Sequence, residues 1–115
     1  MFLKNIINPR KFLIFITSSI FLGIPVLGAT VAEQGFIIGI LASEKCQIRK
    51  GENRILLRKI LENEVKKMGI NLKLLNNKKL NEGAYAYSLD LNASCDESQL
   101  SEEDQESLLR KYIEE

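Results

Sequence analysis

The sequence predicts an all-α protein: a small bundle of about four helices, preceded by an N-terminal signal or anchor helix and stapled by one disulfide. Three observations predict it. The first 32 residues are oily with a basic head. Most of the remaining chain repeats its apolar residues at helical spacing. The chain also holds two cysteines, Cys46 and Cys95, both after the oily segment.

The N-terminus "MFLKNIINPRKF" carries Lys4, Arg10 and Lys11 and no acid, and "LIFITSSIFLGIPVLG" comes next. A basic start, an apolar run and small residues make up a secretory signal. Cleavage is expected between Ala32 and Glu33, with Thr30 as the small upstream residue. A cut after Ala29 ranks second because Leu27 is bulky for that upstream position. The competing expectation is a retained anchor. Phe12 to Ala32 carries no charge, and a bilayer core needs about 20 apolar residues of helix. Lys4, Arg10 and Lys11 would then stay cytoplasmic. Under either expectation residues 1–32 are the export segment, and residues 33–115 form one domain outside the cytoplasm.

A core of that size is marginal, and small exported domains often need a covalent staple. In an oxidising compartment an even pair of cysteines reads as a disulfide, so Cys46 is expected to bond Cys95.

The helices come in order. "EQGFIIGILASEKCQI" sets Phe36, Ile37, Ile40, Leu41 and Ile48 on a broad helical face, with Gly51 as its stop. In "ENRILLRKILENEVKKMG", Leu57, Ile60, Leu61, Val65 and Met68 form the buried stripe, widened by Ile55 and Leu56. Arg58–Glu62 and Glu62–Lys66 are expected as wet i,i+4 pairs, and Gly69 as the C-cap. "NLKLLNN" suits a first strand or a single helical turn. In "NKKLNEGAYAYSLDLNASC", the residues Leu80, Ala84, Tyr87, Leu91 and Cys95 share a helical stripe. Tyr85, Tyr87, Leu89 and Leu91 also alternate as a strand would, so the alternative is an α+β fold with a hairpin in 70–91. Ser101 followed by Glu102, Glu103 and Asp104 starts the last helix, whose apolar side is Leu108, Leu109, Tyr112 and Ile113.

The chain has no histidine, which removes His-based acid–base and nucleophilic catalysis and most zinc sites. Cys46 and Cys95 are too far apart for a CxxC redox motif. Gly35-x-x-x-Gly39 is too short for a phosphate loop and reads as close helix packing. "DESQLSEED" lacks the spacing of a calcium loop and reads as a helix start. Asn92-Ala93-Ser94 matches a glycosylation sequon of a kind that arises often by chance. Tyr85 and Tyr87 suit packing better than an aromatic ligand surface. No catalytic residue, cofactor site or metal site is expected, and the chain does not read as an enzyme.

Charge is uneven. Residues 44–82 hold eleven Lys or Arg against five Glu, and residues 90–115 hold nine acids against two bases. Folding of the acidic end over the basic middle would explain this. A basic face for an anionic membrane or an acidic protein is the sharper alternative. Outside the cytoplasm nucleic acid is not an expected partner.

The order of signal, apolar helix with a late cysteine ("GFIIGILASEKCQI"), charged helix and final cysteine ("LNASC") resembles small exported proteins of marine cyanobacteria. The richness in Lys, Ile and Asn agrees with that. The resemblance covers most of residues 33–95 and implies a periplasmic or thylakoid-lumenal location but no activity. The expected function is a non-enzymatic module that binds or supports a protein partner outside the cytoplasm. The alternative is a small protein associated with an envelope or thylakoid membrane, through residues 12–32 if these are retained or through its basic face.

Overall fold

The computed structural model describes residues 29–114. The expected signal or anchor segment, residues 1–32, lies outside them up to residue 28. The described chain forms α1 (Val31–Arg49), α2 (Arg54–Lys67), a 3-10 turn (Leu72–Asn76), α3 (Lys78–Ser88) and α4 (Glu102–Arg110). The all-α expectation is met, and a disulfide joins Cys46 to Cys95 with their α-carbons 5.7 Å apart. The hairpin alternative for 70–91 is not adopted, since 3-10 turn and helix fill that stretch.

Helix α1 begins with a capping box. The Glu33 amide donates to the Thr30 hydroxyl and the Thr30 amide to the Glu33 carboxylate, each at 3.0 Å. This satisfies two amides that a helix start would leave open. The junction between Ala32 and Glu33 therefore lies inside the first turn. From Gln34 to Glu44 every residue is buried. A helix apolar on all sides belongs at the centre of its domain, and α1 sits there. It ends at Gly51, whose φ of 98° suits glycine.

Helix α3 lies along α1 in the most extensive contact between elements, and buries Leu80, Gly83, Ala84 and Tyr87. A side chain at Gly83 would stand 2.8 Å from Tyr112 Cβ, so glycine lets the chain beyond α4 close on α3. The Tyr87 hydroxyl donates to Gln105 Oε1 at 2.7 Å and ties α3 to α4.

Helix α2 buries Leu57, Leu61 and Val65, a strict i,i+4 row. That row is narrower than the sequence suggests. Ile55 is 71%, Leu56 54% and Met68 45% exposed. Only one side of α2 meets the domain, so residues off that row stay wet. The expected Arg58–Glu62 pair is also replaced, because Arg58 reaches Glu44 across the α1–α2 crossing. Glu62–Lys66 is not among the ion pairs of the described residues. Lys67–Glu64, Lys78–Glu82 and Arg110–Glu106 are.

The helical stripe expected to run to Cys95 stops at Ser88. The chain then folds back through an isolated bridge between Leu91 and Ser98. Asn92 Oδ1 accepts from the amides of Asp96 and Glu97, giving the backbone an alternative to helix. Cys95, itself buried, thus sits in a turn rather than on a helix, at a φ of 61°. Its carbonyl accepts from the Ser43 hydroxyl at 2.6 Å. The other end of α1 is clasped as well: the Gln34 amide group donates to the Glu114 carbonyl at 2.8 Å and accepts from its N–H at 2.9 Å.

Candidate functional site

The C-terminal half of α1, the start of α2 and the outer side of α3 bound a groove of about 650 Å³. Its walls carry five cations, Lys45, Arg49, Arg54, Arg58 and Lys59, and one carboxylate, Glu44. The apolar part is Ile48, Ile55 and Tyr85. A second hollow of about 700 Å³ adjoins it and shares Arg58 and Tyr85.

Three helices bring these charges together. Lys45 and Arg49 are one turn apart on α1, where the helix leaves the core. Arg54, Arg58 and Lys59 come from one face of α2, with Ile55 on the same lip. Tyr85 comes from α3 and is 58% exposed.

Three of the cations are held by other groups. Arg58 donates from Nε and Nη2 to the two Glu44 oxygens at 2.9 and 2.8 Å. This paired fork fixes the guanidinium plane. Arg49 donates to the Ser88 hydroxyl at 3.0 Å and to its carbonyl at 2.9 Å. Lys45 donates to Asn81 Oδ1 at 3.3 Å. Arg54 and Lys59 are exposed.

The field here is positive. Burial lowers the Lys45 pKa most, and Arg58, Arg54 and Arg49 push it the same way against Glu44. The hydrogen bond to Glu44 raises that of Arg58, so it stays charged. Glu44 is the only carboxylate lining this groove, and the acidic residues 90–115 supply none of its walls. Folding of the acidic end over the basic middle, the simpler account of the charge pattern, therefore does not cover this groove.

The other residues singled out in the sequence separate. Tyr85 and Tyr87 face opposite ways, one exposed and one 1% exposed, so they form no shared aromatic surface. Gly35 and Gly39 are buried within α1. Asn92 of the sequon holds the turn that presents Cys95. The acids of "SEED" occupy the first turn of α4, capped by the Ser101 hydroxyl. Among the described residues no group of three or more Cys, Asp or Glu is placed to hold a metal ion, and no helix is long and apolar enough to cross a membrane.

The groove itself was not visible as a motif, because its cations lie on different helices. One signal pointed to part of it. Glu44 is the only charge between Gln34 and Glu44 in an otherwise uncharged, buried run, and a buried carboxylate requires a partner. Searches of protein-family models, curated proteins and solved structures found no match to this chain.

Proposed function

We propose that residues 33–115 form a non-enzymatic interaction module that works outside the cytoplasm, in the periplasm or thylakoid lumen, and recognises an anionic partner through the groove. The observation that supports this most is the set of five cations against one carboxylate. Arg58 answers the buried Glu44, and the other four cations leave the groove with an excess of positive charge. The disulfide is in keeping with an oxidising compartment.

The test is paired affinity capture from the native envelope, with wild type and the Arg54→Glu, Lys59→Glu double variant side by side. Both side chains are exposed, so the fold should survive. The reading expects a partner held by wild type and lost from the variant. Identical protein captures by both, together with no groove-dependent binding of anionic vesicles, would refute it. The exposed Ile55 beside the cations favours a second reading, in which the anionic partner is the membrane surface instead of an acidic protein.

A further inference from the structure

We infer that the groove docks the domain on an anionic phospholipid bilayer, with Arg54 and Lys59 taking headgroup phosphates, the held cations adding to the positive field, and Ile55 entering the headgroup layer. This rests on the groove being the recognition face, as proposed above, and names its occupant.

Charge complementarity is the first argument. A bilayer rich in acidic lipid presents many phosphates at close spacing, and each Lys or Arg near such a surface gains about 1 kcal/mol. The fork to Glu44 engages Nε and Nη2 of Arg58, and Arg54 and Lys59 are exposed. The site thus combines fixed donors with mobile ones.

The apolar lip is the second argument. Ile55 and Tyr85 are among the most exposed large apolar residues described, and both border the cations. Leu56, 54% exposed, stands beside Ile55. An acidic protein face would leave such side chains against carboxylates. The boundary between headgroups and acyl chains accepts a cation and an apolar side chain side by side.

The test is co-sedimentation of the protein, recovered from its native envelope with the disulfide intact, with two sets of vesicles. One is phosphatidylcholine alone and the other contains phosphatidylglycerol. Any insertion by residues 12–32 registers on both, so the difference between them reads the groove. The anionic vesicles should bind at least about 25-fold better at low salt, the share expected of the two exposed cations alone. That advantage should vanish near 1 M salt, where the Debye length is about 3 Å. The Arg54→Glu, Lys59→Glu variant should lose it entirely, and Ile55→Ser should lose part of it while melting as wild type does. Equal binding to both vesicles, or an unchanged double variant, overturns the inference. Groove-dependent binding of poly-glutamate or inorganic phosphate without vesicle preference overturns the bilayer while keeping the anionic groove. Failure to bind any of the three overturns both.

Discussion

Reduction of the Cys46–Cys95 disulfide should cost the domain much of its stability. The two residues are 49 apart in sequence. In the chain-entropy model, closing a loop of that length removes about 14 cal/mol/K from the unfolded chain, or about 4 kcal/mol at 25 °C. Small domains have only about 5–15 kcal/mol in total. For this size each kcal/mol moves the melting temperature by about 4–8 °C, so reduction should lower it by about 15–30 °C. The location of Cys95 adds to the expectation. It sits in the turn between α3 and α4, and besides the disulfide its main tie to α1 is the hydrogen bond from Ser43. Circular dichroism melts with and without reductant give the measurement, with a Cys46→Ala, Cys95→Ala double variant as control. A reduced protein melting within a few degrees of the oxidised one would sink the argument. Two free thiols in protein from its native envelope would remove its premise.

Three further outcomes are expected. Leu61→Ala should cost about 2–5 kcal/mol in denaturant melts, and Arg58→Ala about 1.5–3 because it strands the buried Glu44 carboxylate, while Lys66→Ala should be nearly neutral. Gly83→Ala should destabilise by about 1–3 kcal/mol through the clash with Tyr112 Cβ and ring, yet become neutral or stabilising in a Tyr112→Gly background, where neither Cβ nor ring remains and only the better helix propensity at position 83 is left. Equal effects in both backgrounds would disprove the clash. Burial raises the Tyr87 pKa well above its ordinary 10.0, so its contribution to stability is full below about pH 10 and declines as pH rises toward the folded value. Absorbance titration should show one of the three tyrosines ionising only as the fold is lost.

The fold was legible wherever a helix has one wet side. Leu57, Leu61 and Val65 recur every four residues between charges, and the capping residue Ser101 stands just before the helix it starts. Helix α1 was legible as a helix but not as the centre of the domain. Its sequence suggests one broad face, whereas Ile38, Gly39 and Ala42 on the other side are buried too. The break after Ser88 was not legible. Leu91 and Cys95 continue the period of α3, and only the hydrogen bonds of the Asn92 side chain reveal that the backbone has turned. The groove was least legible of all. Its charges converge through the crossing of α1, α2 and α3, and a linear period cannot report a crossing. The sequence showed that the middle of the chain is basic; which five cations share a wall depends on tertiary packing.

The same packing gives the two possible cuts different consequences. Removal of residues 1–32 leaves Glu33 as the first residue and takes away Thr30, the N-cap of α1. A cut after Ala29 leaves Thr30 in place with both hydrogen bonds of the capping box available. Loss of such a cap costs about 1 kcal/mol. Either cut puts an α-ammonium at the helix start, where the dipole disfavours it, but on Thr30 it faces the Glu33 carboxylate at 3.0 Å. Against this, Gln34 still holds Glu114 from the next position, so the first turn would be weakened rather than lost. A chain beginning at Thr30 should therefore melt about 4–8 °C above one beginning at Glu33, and the Gln34 amide, which donates to the Thr30 carbonyl at 3.0 Å, should exchange hydrogen more slowly in it. Mass spectrometry of the native N-terminus then tells which form the cell makes. Equal melting of the two forms would mean that the clasp at Gln34, not the cap at Thr30, holds the start of the central helix.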